Sequence, residues 1–106
     1  KEVLPVLQQR GIGAIGMKSL GGGNLASGGS IVKSGICTAE EAMGYALSHP
    51  IASLVVGIDS EQVLDQDLKF AETFQPFTQE KMEDLQSQAK PFACDGRLEF
   101  HKSTQI

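Results

Sequence analysis

Gly11-Ile12-Gly13-Ala14-Ile15-Gly16-Met17-Lys18-Ser19-Leu20-Gly21-Gly22-Gly23 decides how the rest of the chain is read. Apolar side chains fill Ile12, Ala14, Ile15 and Met17, and no charge appears before Lys18. An uncharged run of this kind is expected of a strand covered on both faces, as in a parallel sheet. The stretch therefore predicts a strand over residues 11–18 that opens into a glycine-rich loop over 19–37. Consecutive glycines let the backbone take positive φ and come close to a ligand. Amides exposed on such a loop hold an anion, most often a phosphate. Lys18 then has two readings: an exposed residue closing a strand, or a cation beside those amides that assists a phosphate or pyrophosphate.

Upstream, residues 1–10 carry Val3, Leu4, Val6 and Leu7 and end at the turn Arg10-Gly11. They read as the last two turns of a helix, with Pro5 fitting a first turn. A chain that starts inside an element is expected to be a piece of something larger. Downstream, Asn24 to Gly35 is Ser/Gly-rich and predicts a surface loop, the kind of segment that often carries function. Thr38-Ala39-Glu40-Glu41 announces a helix over 38–49, with Thr38 at the cap and Glu41 three residues on. Ala39, Ala42, Met43, Ala46 and Leu47 recur on one face, and His49-Pro50 stops it.

Ile51 to Ile58 is a second continuous apolar run, rich in β-branched residues, and predicts a buried parallel strand. Asp59-Ser60-Glu61-Gln62 opens a helix over 60–74 whose expected inward residues are Val63, Leu64, Leu68, Ala71 and Phe74. Gln75-Pro76 breaks it. Thr78 caps a last helix over 78–90, where Phe77 is placed to staple onto Met82. Residues 91–106 read as an irregular tail with a turn at Asp95-Gly96. The order is α/β: about two β/α units plus a C-terminal helix and tail.

The chain has 106 residues, 41% hydrophobic and 21% charged, so one small globular domain at most is expected. Its net charge of −4 argues against nucleic acid and anionic membranes as partners. Any phosphate site must then rely on backbone amides and one or two local cations. The two cysteines, Cys37 and Cys94, have no CxxC spacing and read as isolated reduced thiols in a cytoplasmic chain. No apolar run is long enough to span a membrane.

Gly11-x-Gly13-x-x-Gly16 matches the dinucleotide fingerprint in letters alone. That fingerprint needs its glycines after a strand and at a helix start, whereas these lie within the expected strand. Tyr45 reads as packing or surface, and His49 as a helix-end residue meeting free carbonyls. His101 lies in the tail beside Lys102. Glu61, Asp65 and Asp67 read as a solvated helix face. No nucleophile–base pair or metal-ligand spacing is present.

Three ordered segments together carry a resemblance: Gly11 to Gly23, Val55-Val-Gly-Ile-Asp-Ser-Glu-Gln-Val-Leu-Asp-Gln-Asp-Leu68, and Asp95-Gly-Arg-Leu-Glu-Phe-His-Lys102. In that order they resemble the C-terminal portion of the aldo/keto reductases, (β/α)8 TIM barrels that reduce carbonyls with NADPH. The resemblance implies a partial barrel holding the last two β/α units, with residues 11–18 as the seventh strand and 51–58 as the eighth. It implies that Met17, Lys18, Ser19, Leu20 and Gly21 lie along the cofactor pyrophosphate. Gly57, Ile58, Asp59, Ser60, Val63, Gln66 and Asp67 would take the adenosine end. Members often place Lys, Ser or Arg where this chain has Gly57, Ile58 and Val63, so NADH is left open beside NADPH. The family's catalytic Asp, Tyr, Lys and His belong to earlier strands, and the 106 residues alone are expected to be inactive. The expected partners are NAD(P)H and either the remainder of the barrel or a second copy. The competing reading is a non-catalytic partial-barrel module for binding or interaction.

Overall fold

The fold is described from a computed structural model, which covers residues 2–21 and 29–93. The chain is mixed α/β and mostly helical, with a small two-stranded parallel sheet. Its elements are α1 (Val3–Gln9), β1 (Ile15–Gly16), α2 (Ser30–Lys33), α3 (Ala39–Leu47), β2 (Ser53–Leu54), α4 (Glu61–Thr73) and α5 (Gln79–Ala93).

α1 ends where the sequence places its end. Gly11 takes φ 65, its amide donates to the Gln8 carbonyl at 3.2 Å, and the Ile12 amide donates to Leu7 O at 2.9 Å. This pair of bonds satisfies two of the carbonyls that a helix C-terminus leaves free. The first glycine of the Gly11-x-Gly13-x-x-Gly16 pattern is thus a helix cap. The third is a packing glycine: a Cβ at Gly16 would stand 3.0 Å from both Ile51 Cδ1 and Leu54 Cδ1.

β1 and β2 pair in parallel, Ile15 with Ser53 and Gly16 with Leu54. Flanking bonds from Ala52 N to Ala14 O (2.7 Å) and from Val55 N to Gly16 O (2.9 Å) extend the contact over Ala14–Gly16 and Ala52–Val55. The regular ladder is therefore far shorter than the expected strands over 11–18 and 51–58. A pair with no third strand among the described residues has little to hold it extended further.

Covering on both faces is not observed. Ala14, Gly16, Leu54 and Val56 are half-buried, while Ile15, Met17, Ser53 and Val55 alternate with them and are exposed. Ile15 is 68% exposed, Met17 67% and Val55 54%. One face of the sheet packs inward and the other is open.

α3 is the hub, touching β2, α2 and α5. Thr38 caps it, its Oγ1 accepting from the Glu41 amide at 3.1 Å. Its Ala42, Met43 and Gly44 are buried, and Met82 and Leu85 of α5 join them, with Ile36, in the core. The ring of Phe77 lies against Gly44, so close that a Cβ there would stand 2.8 and 2.9 Å from two ring carbons. Ser48 locks this arrangement: its Oγ donates to Gly44 O at 2.7 Å and accepts from the Phe77 amide at 2.8 Å. Farther along the seam, Gln86 Nε2 donates to Tyr45 Oη at 3.0 Å, and Tyr45 meets His49 edge-on at 4.9 Å. Lys81 Nζ faces Glu41 at 3.8 Å.

α4 is rolled relative to the expectation. Val63, Asp67, Phe70 and Phe74 are half-buried, whereas Leu64, Leu68 and Ala71 are exposed. The spacing 63/67/70/74 is one helix face. Phe70, Phe74 and Phe77 form a tilted aromatic chain, with centroids 5.5 and 6.2 Å apart, that packs this face toward the connector at Phe77. α5 continues past the expected end at residue 90 and carries Pro91 in its last turn. There a missing amide removes one helical bond, and the carbonyls that follow have no intrahelical partner in any case. The expected loop over 19–37 contains the single turn α2, with Gly29 at its N-cap (φ 90) and Gly35 just past its end (φ 78). The readings made for Gly22, Gly23, residues 24–28, Cys94, the Asp95-Gly96 turn, His101 and Lys102 fall outside the described residues.

No described helix is long and apolar enough to cross a membrane.

Candidate functional site

Because β1 and β2 are adjacent and parallel, the segments after them leave the same, carboxyl edge of the sheet. After β1 come Met17, Lys18, Ser19, Leu20 and Gly21; after β2 come Val55 to Ser60, then α4. In sequence these two segments carry one cation, Lys18, and one anion, Asp59.

The first loop has a defined backbone. Lys18 takes φ 55, the one left-handed non-glycine residue among those described, and Gly21 takes φ 85. The Gly21 amide donates to Lys18 O at 2.8 Å and closes a tight turn. A lysine in this region pays for its conformation with roughly 1 kcal/mol, a strain found most often where function demands it. The turn is anchored from behind. Leu20 O accepts from the Ile31 amide at 3.1 Å, and Gly21 O accepts from Ser30 Oγ at 3.0 Å. A side chain at Gly21 would collide with Ser30 and with Ile31 Cγ1 at 2.9 Å, so only glycine fits. Met17 and Lys18 are exposed, and Ser19, Leu20 and Gly21 are half-buried against α2. Ser30 and Ile31 are positioning residues that the sequence did not reveal. They stand nine or more positions from the loop they hold, and no local pattern marks such a pairing.

The second loop is open. Gly57, Ile58, Asp59 and Ser60 are exposed, Ile58 at 48%. Ser60 has its hydroxyl turned to its own helix, accepting from the Val63 amide at 3.2 Å as the N-cap of α4. Gln66 is exposed on the second turn of α4. Asp67 differs from the solvated reading given to it: it is half-buried, and burial raises its carboxyl pKa above the ordinary value. Glu61 and Asp65 remain on the exposed side.

The edge thus offers backbone geometry, one cation and an exposed apolar strip. It offers no acid–base pair, and no cluster of His, Cys, Asp or Glu fit for a metal exists among the described residues. Cys37 lies elsewhere, half-buried at the start of α3. Burial, reinforced by Glu41 and partly offset by Lys81, raises its thiol pKa and keeps it in the unreactive form. A scan against models of protein families finds no match for the chain, and searches of curated proteins and of solved structures find none either.

Proposed function

We propose that this chain is the cofactor-binding C-terminal segment of an aldo/keto reductase-like oxidoreductase, the last two β/α units of a (β/α)8 barrel, which reduces aldehydes or ketones with NAD(P)H. The observation that carries the reading is the parallel register Ile15–Ser53, which sends the loops at 17–21 and 57–60 off one sheet edge. In open and closed parallel sheets alike, that edge is where ligands bind. The one-sided burial of the strands also supports it. In a barrel the outer strand face packs on helices, as half-buried Leu54 and Val56 would, and the inner face meets further strands, as exposed Ile15, Met17 and Val55 would.

In this reading the αL turn at Lys18 and the lysine charge lie along the pyrophosphate. Asp59, Ser60, Gln66 and Asp67 lie toward the adenosine, and no residue of this chain donates the proton. The chemistry belongs to groups on earlier strands. NADPH fluorescence titration tests the cofactor half. A midpoint on the order of micromolar, weakened about tenfold by Lys18→Glu, is expected. Absence of binding, or binding indifferent to Lys18, overturns it.

The open apolar face also favours a second reading, a non-catalytic interaction module that retains part of a barrel. The intact mass of the gene product separates the two. A longer chain with Tyr and Lys at barrel strand ends supports the enzyme, and a native product of 106 residues supports the module.

A further inference from the structure

We draw no further inference here: the strongest candidate, the exposed apolar surface formed by Ile15, Met17 and Val55 on the open side of β1 and β2, carries nothing further because nothing in the structure shows what covers it.

Discussion

The seam between α3 and α5 and the open side of the β1–β2 pair are built from similar residues but have opposite environments. Met43, at 3% exposure, and Ile15, at 68%, are both large and apolar, yet only the first is enclosed. The seam gains more than burial. Phe77 seats on Gly44, Ser48 bridges the two segments, and Tyr45 meets Gln86. Among the described residues the sheet has two strands, and Ile15 stands across from Ser53. The enclosed apolar contacts therefore lie between the helices, and the apolar strip on the strands is left exposed.

The sharpest contrast is a pair of truncations followed by chemical denaturation. Met43→Ala removes a core side chain and is expected to cost about 3 kcal/mol. Ile15→Ser in dilute solution is expected to change stability by less than about 0.5 kcal/mol. Comparable losses at both positions would mean that the open face is covered and would end the comparison.

Gly44→Ala comes next. The new methyl group runs into the Phe77 ring, and a loss of about 2 kcal/mol is expected, the scale of overpacking. In thermal melts of a domain this size each kcal/mol moves the midpoint by about 4–8 °C. An unchanged midpoint would place Phe77 elsewhere.

Ser48→Ala leaves the Phe77 amide without its acceptor and should cost about 1 kcal/mol, with Ser48→Thr recovering part of it. Equal losses in both variants would show that the hydroxyl is not what matters.

The remaining two predictions involve small stability changes. Wild-type chain is expected to associate with rising concentration in light scattering, and Ile15→Lys with Val55→Lys to abolish that while leaving the melt almost unchanged. A wild-type monomer that stays monodisperse removes the sticky side of the contrast.

Asp67→Asn probes the margin between the two regions. Its folded pKa is raised by burial, so the native state holds this proton more tightly than the unfolded chain. Stability should then fall as pH rises from the ordinary aspartate range through the raised value. The variant should flatten that slope and be slightly more stable than the wild type at neutral pH. A slope that the substitution leaves intact would assign it to another carboxylate.

How much of this could be read from sequence follows the range of the forces involved. Thr38, Thr78 and the Asp59-Ser60-Glu61-Gln62 opening are legible as caps because a cap is satisfied within three residues; Thr38, Ser60 and Thr78 accept the amides of Glu41, Val63 and Lys81. The helix stop at Gly11 is equally local. The apolar runs at 11–18 and 51–58 identify where the parallel pair forms, but a run of apolar residues cannot say how many faces will find a neighbour. The same limit explains α4. Leu64 and Leu68 are better hydrophobes than Asp67, yet Phe70 packs on Phe74 and Phe74 on Phe77, which rolls the helix about a sixth of a turn. At the candidate site, Lys18 at the strand end is legible from the sequence, but its left-handed backbone and the Ser30 and Ile31 anchors are not. Both depend on contacts that no residue spacing announces.

The bond from the Phe77 amide to Ser48 has a practical consequence. Phe77 lies outside any helix, in a connector whose amides would ordinarily exchange with deuterium almost at once. Its own exchange instead waits until the connector lifts off the end of α3, so that single amide reports how often the connector leaves Ser48.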